Sequence, residues 1–417
     1  MRTILEELPG ALMPDLEKES EDPGVARDVI DDDLVRPTIE DELPRKASRG
    51  RKSPLSRHTL HSIGPLDRSL PLPIGLRLSL EGARVTDATV DMGFTHQALE
   101  RRSQGRAVDV GLFSLIARAE PGLQSALAVA CAIERLGPKD PNQKLRGPTA
   151  STTAQRQIAL DLLTIVENAR VLAAPALGSS TGRRGARLLA RTACRGAEAL
   201  LEGLCADDVF FQPFRLRHPL ANEEEVMLLR LLADVEEPLL RLDPERAFSW
   251  LDGVGRLDAA TARRLGVDGP ALRASGADDD TPAIDLQAAP PTTFAFNGCA
   301  LSRLRVRHAD ALAAAVRLRG RLRPVLTEPP HAHDADDDAD GAVIEVADGI
   351  GTAQVRGPSG TTAALVSMVA QRVQRLRLRP PDLALVAALP PALVDVTLDD
   401  VAAVVASFGV RCSAVDR

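Results

Sequence analysis

One histidine lies in a context where an imidazole could carry out proton chemistry. His96 falls within residues 92–100, where a predicted strand hairpin leads into a helix. Gly93, three residues earlier, lacks a Cβ and would allow close approach to the backbone. Because histidine titrates near neutral pH, His96 at the edge of a cavity could exchange a proton with a substrate. The residues alone favour a histidine that is packed for structural reasons, and a histidine that faces a cavity is the other interpretation that stays open.

Other catalytic and nucleotide-binding signatures are missing from the sequence. Gly253-Val-Gly255 and Gly349-Ile-Gly351 lack the third glycine that opens a helix in a dinucleotide site, and no P-loop occurs. Ser275 and Ser359 lack the frame of a nucleophile elbow. No two histidines have zinc-ligand spacing along a helix. We expect the cysteines to be buried, unreactive thiols: Cys131, Cys194, Cys205, Cys299 and Cys412.

The composition of the 417-residue chain argues against several function classes. Aromatic residues make up 2%, and Tyr is absent, so binding of single-stranded nucleic acid or carbohydrate by stacking is not expected. The formal net charge of −7 argues against a global basic field for nucleic acid. Five scattered cysteines without a CxxC pair argue against a disulfide framework and favour a reducing compartment.

The first part of the chain has the composition of a disordered or partner-bound extension, which we place at residues 1–62. An acidic part that includes Asp31-Asp32-Asp33 precedes a basic part that includes Arg51-Lys52, and few apolar residues recur at any period. The basic part could also bind an acidic partner or anionic lipid. The start lacks the apolar core of a signal peptide, and the most apolar run, 126–133, is far shorter than the ~20 residues of a spanning helix. We therefore expect a chain that is soluble or attached to a membrane through partners.

Strand signals precede the candidate histidine, and helices dominate after it. Leu76, Leu78 and Leu80 alternate with polar residues, Glu81-Gly82 makes a turn, and residues 85–90 form the return strand. We expect the folded part to begin near Pro71. Apolar spacing and stop signals predict helices at 109–136, 154–174, 185–204, 223–242 with Asn222 as N-cap, 257–265 and 308–326.

The C-terminal part is predicted to contain short strands and one closing helix. Residues 286–299 read as a loop, and the Asp- and Ala-rich segment 328–340 reads as a flexible solvated loop rather than a cation site. Strands are predicted at 343–346, 352–355 and 375–379, the last from alternating Arg and Leu. A helix over 398–408 ends at Gly409.

Three stretches resemble one family, the D (49-kilodalton) subunit of respiratory NADH:quinone oxidoreductase, complex I. Gly93-Phe94-Thr95-His96 and Ala98-Leu99-Glu100, after the hairpin, are similar to the family's GYLHRGxEK region. Residues 257–276 resemble the segment ending in GxxLRASG, and residues 398–417 resemble the terminus DVVAIIASLD…GEVDR. Order and spacing agree from about residue 62 to 417. The same superfamily contains the large subunits of nickel–iron hydrogenases.

The sequence departs from this family at the groups that would handle protons. The family's loop GPQHPSTHG carries a histidine at the quinone head group, whereas Gly64-Pro65 is followed here by residues 66–73 without a histidine. The family's quinone-contacting tyrosine lies at the start of the next long helix, where this chain has Arg118-Ala119-Glu120-Pro121. The cysteine pairs of the hydrogenases are replaced by Glu120-Pro121 and residues 412–417, which excludes a nickel–iron centre.

The resemblance implies a function for the chain and for its surviving residues. The chain would be the large peripheral-arm subunit of a complex I-like enzyme, without a cofactor or metal of its own. It would form a quinone cavity with an iron–sulfur partner subunit, and Gly93, His96 and Arg273 would belong to that cavity. His96 would be the candidate catalytic proton donor. Arg273 would act by its charge near the partner's cluster, or would form a structural ion pair with Asp280 or Asp348.

The resemblance also implies a location and leaves alternatives open. The chain would sit peripherally on the cytoplasmic face of the inner (plasma) membrane, linked to the membrane arm through partners and without nucleic acid. Because the loop histidine and the tyrosine are missing, a degenerate paralogue that serves as a scaffold in a complex I-like or hydrogenase-like assembly is the chief alternative. An unrelated helical enzyme is the third.

The elements and the resemblance together predict a mostly helical α+β fold. We expect a central bundle of long helices with an N-terminal β-hairpin and a small C-terminal mixed β region, as in hydrogenase large subunits. Residues 63–417 would form one domain, interrupted by the acidic loop 328–340.

Overall fold

The computed structural model describes residues 58–67, 70, 72–118, 122–139, 150–174, 222–278, 286–287, 297–327 and 345–411, with short helical pieces at 188–189, 191–196 and 199. Every described residue belongs to one compact unit, Ser56–Arg417. The predicted loop at 328–340, most of the predicted helix at 185–204 and most of the predicted extension lie outside the described residues.

The first sheet contains three antiparallel strands in the order β1-β2-β3. β1 spans His58–Ile63, β2 Gly75–Glu81 and β3 Arg84–Asp91. The hairpin β2–β3 is confirmed, and Gly82 adopts a φ of 63° in its turn. The expected start near Pro71 is wrong, because β1 precedes it. Residues 59–62 of β1 are all exposed, so this strand carries no alternation of buried and exposed positions that sequence reading could detect.

Three helices follow the first sheet. α1 spans Leu99–Ser103, α2 Val110–Arg118 and α3 Gly122–Glu134. The single helix predicted over 109–136 is therefore corrected to two helices. They approach so closely that a Cβ on Gly122 would lie 1.8 Å from the carbonyl oxygen of Ala117, and only glycine can occupy this position without a shift.

The middle of the described chain is helical. It contains α4 (Ala150–Ala173), α5 (Asn222–Arg241), α6 (Pro244–Phe248), α7 (Ala259–Arg264), α8 (Gly269–Ala274) and α9 (Ala300–Thr327). Aspartates open two of them: the side chains of Asp243 and Asp258 accept backbone N–H groups from the first turns of α6 and α7. α9 begins at Ala300, eight residues before the predicted start at 308. The predicted start was too late because buried arginines interrupt the apolar pattern in the first turns of the helix.

The second sheet has the strand order β4-β5-β6-β7. Its strands are β4 (Leu286–Gln287), β5 (Gly349–Gly357), β6 (Gly360–Val369) and β7 (Arg372–Arg379). β4 runs parallel to β5, and the other pairs are antiparallel. One face packs on α3, where a Cβ on Gly351 would lie 1.9 Å from the carbonyl oxygen of Ala132. Inward positions of β5, β6 and β7 alternate with outward ones.

Sequence reading recovered this sheet only in part. The alternation of Arg and Leu correctly indicated β7, and β5 extends the strand predicted at 352–355. β6 was missed, because small and apolar residues occupy both of its faces. Of the strand predicted at 343–346, residues 343–344 lie outside the described residues, and Val346 forms an isolated bridge with Pro138. β4 lies inside the region predicted to be a loop.

Two helices close the chain. α10 spans Asp382–Leu393 and α11 spans Val401–Phe408, which ends as predicted at Gly409 with a φ of 65°. α10 was missed because Pro390 and Pro391 lie within it, and proline normally interrupts a helix. The segment after α10 covers the outer edge of β3, where the N–H of Val85 donates to the carbonyl of Val396 at 2.9 Å.

None of the helices in the described part of the chain is long and apolar enough to cross a membrane.

A buried carboxylate joins α4 to α9, which pack along each other. Asp161 on α4 is fully buried and accepts hydrogen bonds from Arg317 at 2.9 and 3.0 Å and from Arg321 at 2.5 Å. Burial raises the pKa of Asp161 to about 6, although both guanidinium groups favour its charged form. Asp161 is therefore ionised at neutral pH and cross-links the two helices.

We predict that Asp161 makes the fold less stable as the pH rises. Its folded pKa lies above the ordinary 3.8, so the folded state holds the proton more tightly than the unfolded chain does. Its contribution is fully present below the unfolded pKa and is lost as the pH passes through the folded pKa. The unfolding free energy of the wild type, relative to Asp161→Asn, should fall by about 3 kcal/mol between about pH 3 and pH 7 in urea denaturation.

Asp258→Asn is the control, because the pKa of Asp258 is shifted in the opposite direction. The backbone N–H of Thr261 donates to exposed Asp258 at 2.8 Å and lowers the pKa of that carboxyl group. Its contribution should therefore be lost as the pH falls. A stability difference between wild type and Asp161→Asn that does not change with pH would contradict the raised pKa.

Candidate functional site

The loop after β3 carries the predicted catalytic histidine. Gly93 has a φ of 109°, which a residue with a Cβ would adopt only with strain. Ala98, at the start of α1, also has a left-handed backbone, with a φ of 49°. Gly93, Phe94 and His96 are exposed, Phe94 at 51%. Two left-handed residues thus bound a short loop that presents the His96 imidazole at the surface.

Glu100 fastens this loop and α1 to the second sheet. One of its carboxylate oxygens accepts the backbone N–H of Leu378 at 3.0 Å, and the other accepts the guanidinium of Arg377 at 2.7 Å. A few residues later, the N–H of Gly105 donates to the carbonyl of Val373 at 2.7 Å. The position of His96 therefore depends on β7, which lies far away in sequence.

His96 lines a surface depression of about 410 Å³ between α1 and β7. The other lining residues come from these two elements and their flanks: Ala98, Glu100, Arg101, Gln104, Arg375, Leu376 and Arg377. The His96 imidazole is exposed there and accessible to a ligand. The surrounding guanidinium groups make the depression positive. Gly93 borders the same loop, and a Cβ on it would meet no atom within 4 Å, so the backbone there is open to a ligand.

Arg273 is buried in a structural ion pair and does not line this depression. It lies on α8, and its two terminal nitrogens donate to both carboxylate oxygens of Asp310 on α9, at 3.0 and 2.5 Å. Arg273 is 9% exposed and Asp310 is 7% exposed. This bidentate geometry is the strong form of an arginine–carboxylate pair. Asp310 lies 37 residues after Arg273, so no local pattern in the sequence indicates this pair.

The two partners proposed from sequence are not the observed one. The carboxylate of Asp348 accepts the backbone N–H of Ala370 at 2.8 Å, and Asp280 lies outside the described residues. The N-terminus of α8, the helix that carries Arg273, packs closely against the turn between β5 and β6. Gly269 has a φ of 64°, and a Cβ on it would lie 2.9 Å from the Cα of Gly360.

Two further buried arginines on α9 were missed by sequence reading. Arg303 is 1% exposed and donates to the carbonyls of Gly298 at 2.7 Å and Gly255 at 3.0 Å. It also donates to the hydroxyl of Ser407 at 2.9 Å and stacks 4.0 Å from the ring centroid of Phe408. Burial lowers the pKa of Arg303 to about 9, so it stays charged at neutral pH.

Arg307 lies one helical turn further along and is equally buried. Its guanidinium donates to the carbonyl of Phe408 at 2.5 Å and to the side-chain oxygen of Asn168 on α4 at 3.1 Å. Burial lowers the pKa of Arg307 to about 10, while nearby Asp310 opposes that shift. Arg303 and Arg307 are four residues apart on the apolar face of a long helix, and this spacing is the sequence signal that could have indicated their burial.

Buried charges of both signs surround this part of α9. Arg411 donates its backbone N–H to Asp382 at 2.7 Å, and its guanidinium lies 3.9 Å from Glu167. Carboxylates thus lie near Arg307 and Arg411, whereas carbonyl and hydroxyl oxygens accept the hydrogen bonds of Arg303. These buried groups hold helices together, whereas His96 is exposed.

The structure separates the residues that sequence reading grouped as one cavity. Gly93 and His96 share an exposed loop, whereas Arg273 is enclosed between α8 and α9. The positions that replace the family's tyrosine and the hydrogenase cysteines, 119–121 and 412–417, lie outside the described residues. Among the residues that are described, no group of three or more His, Cys, Asp or Glu side chains is arranged to hold a metal ion.

We predict that the pair Arg273–Asp310 is structural, and replacement of one partner and then of both tests this. Arg273→Met leaves Asp310 buried without its guanidinium and should lower the unfolding free energy by about 3–5 kcal/mol. Arg273→Met combined with Asp310→Leu should recover most of that loss. Chemical denaturation of the full chain provides the measurement.

The exposed bidentate pair of Arg77 and Asp91 is the matched control. Its hydrogen bonds measure 2.9 and 2.7 Å, but both side chains face solvent, so Arg77→Met should change stability far less than Arg273→Met. Equal effects of the two substitutions would show that burial of the Arg273 pair is unimportant.

Comparison with known proteins shows the fold. No protein-family model matches the sequence, and no curated protein matches it. One chain of the membrane-bound sulfane sulfur reductase (MBS), an archaeal respiratory membrane complex, superposes with a TM-score of 0.70 at 21% sequence identity. The match covers 86% of this chain and 98% of that chain. The protein therefore shares its fold with a component of a respiratory membrane complex.

Proposed function

We propose that the chain is a subunit of a respiratory membrane redox complex related to complex I. The observation that carries the proposal is the shared fold with a chain of such a complex over 98% of that chain. The three stretches that resemble the D subunit of complex I, 93–100, 257–276 and 398–417, support the same conclusion from sequence. The hydrogenase large-subunit-like fold class remains part of this proposal.

In this proposal the chain occupies the place of the D subunit. It lies peripherally on the cytoplasmic face of the inner (plasma) membrane and contacts the membrane arm through partner subunits. It forms one wall of a quinone cavity, and an iron–sulfur partner subunit forms the other. Electrons from NADH reach the quinone through the partner's cluster, while this chain binds neither a metal nor a nucleotide.

His96 is the proton donor in this proposal. Its exposed imidazole lies at the rim of a depression, and the wall of a two-subunit cavity must be exposed in the isolated chain. Gly93 supports the assignment, because the backbone beside the histidine is open to a ligand. Arg273 has a positioning role: its ion pair with Asp310 fixes α8 against α9.

The alternative is a paralogue that keeps the scaffold and has lost quinone chemistry. The family's loop histidine and tyrosine are missing, and Arg273 is fully engaged in a buried ion pair. These observations favour assembly without catalysis by this chain. The similar solved chain belongs to a sulfane sulfur reductase, so sulfane sulfur is a second acceptor class to test beside quinone.

We predict that His96→Ala slows turnover of the native complex, purified through a tag on the full chain. Loss of a general acid typically costs about 10²-fold or more in kcat, and iron content and subunit composition should stay unchanged. The assays are NADH-dependent reduction of a quinone and of a sulfane sulfur acceptor. His61→Ala is the control, because His61 is also exposed but lies on β1.

The outcomes separate the two candidate functions. Unchanged turnover of an intact His96→Ala complex would remove His96 from the mechanism. A wild-type complex that contains iron and partner subunits but reduces neither acceptor would establish the scaffold. Purification of the tagged chain without partner subunits would overturn the proposed membership in a complex.

A further inference from the structure

The outer face of the second sheet is rich in arginine. β7 points Arg375, Arg377 and Arg379 to solvent, whereas Leu376 and Leu378 point into the core. Opposite these arginines, β6 and β5 contribute Ala363, Leu365, Thr352 and Gln354, which are half-buried or exposed. We call this surface, together with Arg101 of α1 and Arg135 after α3, the arginine face.

Two depressions lie on the arginine face and share Arg377. One is the depression of about 410 Å³ beside His96, and the other, of about 370 Å³, lies over the three strands β5, β6 and β7. Five arginines line the two depressions, against Glu100 as the one carboxylate among the lining residues. The chain as a whole carries a formal charge of −7, so this positive surface runs against the overall balance.

The arginine face keeps uncompensated charge at its two ends. Arg377 is paired with Glu100, and Arg135 donates to the carbonyl of Thr352 at 3.0 Å. Arg375 and Arg379 are exposed and take part in no described hydrogen bond or ion pair. Their guanidinium groups can therefore form bidentate bonds with carboxylates from outside without giving up an internal contact.

The outer edge of β7 is closed to an added strand. The N–H of Gly105 donates to the carbonyl of Val373, and the N–H of Val373 donates to the carbonyl of Arg106 at 2.9 Å. Glu100 accepts the N–H of Leu378 further along the same edge. A partner must therefore contact the side chains of the face and cannot pair with the edge of the sheet.

We propose that the arginine face binds an extended acidic segment of a partner polypeptide. Residues of a strand advance about 3.3 Å each, so Arg375 and Arg379 lie about 13 Å apart and match carboxylates four residues apart on an extended chain, while Arg377 between them keeps its contact with Glu100. Ala363 and Leu365 lie beside them on β6, opposite Arg379 and Arg377, are half-buried, and provide an apolar floor for the side chains of a peptide. Anionic lipid head groups would use the charge but not this floor, so the observations favour a polypeptide.

This inference goes beyond the proposed redox function, because it holds whether or not His96 is catalytic. The test measures equilibrium binding to the purified full chain by fluorescence anisotropy. The probe is a labelled dodecapeptide of alternating Glu and Ala, and the same peptide with Gln replacing Glu is its neutral counterpart. The acidic peptide should bind, with a Kd that rises with ionic strength, and the neutral peptide should bind at least about tenfold more weakly.

Arg375→Glu combined with Arg379→Glu tests the site without disturbing the Arg377–Glu100 contact. We expect this variant to weaken binding of the acidic peptide by about tenfold or more. The control, Arg263→Glu with Arg264→Glu, reverses two exposed arginines on α7 and should leave binding within about twofold, since it lies outside the face. Thermal unfolding verifies that both variants are folded, and Arg375→Gln with Arg379→Gln replaces the reversal if it fails to fold.

Equal loss of binding in the two variants would overturn the site, because it would reflect only the net charge of the chain. Absence of any preference for the acidic peptide would also overturn it. Flotation with phosphatidylglycerol vesicles forms the second arm. Vesicle binding that depends on Arg375 and Arg379, without peptide binding, would assign the face to a membrane surface and reject a polypeptide partner. None of these results depends on turnover, so they are independent of the His96 experiment.

Discussion

A guanidinium group that leaves water must find hydrogen-bond acceptors or a carboxylate inside the protein, and this requirement organises the centre of the fold. Arg303 and Arg307 are buried on α9, and their acceptors come from several segments at once. Gly298, Phe408 and Asn168 supply oxygens from the loop before α9, from α11 and from α4. Each buried arginine therefore ties α9 to segments that are remote in sequence, and a shift of any one segment would remove a hydrogen bond from a buried guanidinium group.

The buried charges and the exposed ones have different functions. Inside, Arg273 and Asp310 satisfy one another, and Asp161 joins α4 to α9, so these groups contribute to helix packing. Outside, His96 and the arginine face remain available to a ligand or a partner. The His96 depression and the arginine face meet at β7, where Glu100 accepts hydrogen bonds from Arg377 and from the backbone N–H of Leu378. The second sheet thus carries residues of each proposed interaction, and its opposite face packs on α3.

Local periodicity explains which elements could be predicted. The β2–β3 hairpin, β7 and α11 each have a clear alternation or a stop signal within a few residues, and each is observed. β1 is exposed on both faces, β6 is made of small and apolar residues throughout, and α10 contains two prolines. In these cases stability comes from pairing with neighbouring strands or from packing on β3, which no local pattern records.

The sequence by itself determined the strand-to-helix context of His96, the alternation that exposes the arginines of β7, and the missing histidine and tyrosine in the resembling family's motifs. Only the tertiary structure decided that Arg273 pairs with Asp310, that Glu100 anchors the loop to β7, and that Arg303 and Arg307 are buried. The physical reason is distance along the chain. Side chains separated by tens or hundreds of residues become partners only when the packing of helices and sheets brings them together, whereas exposure along a strand follows from its neighbours in sequence.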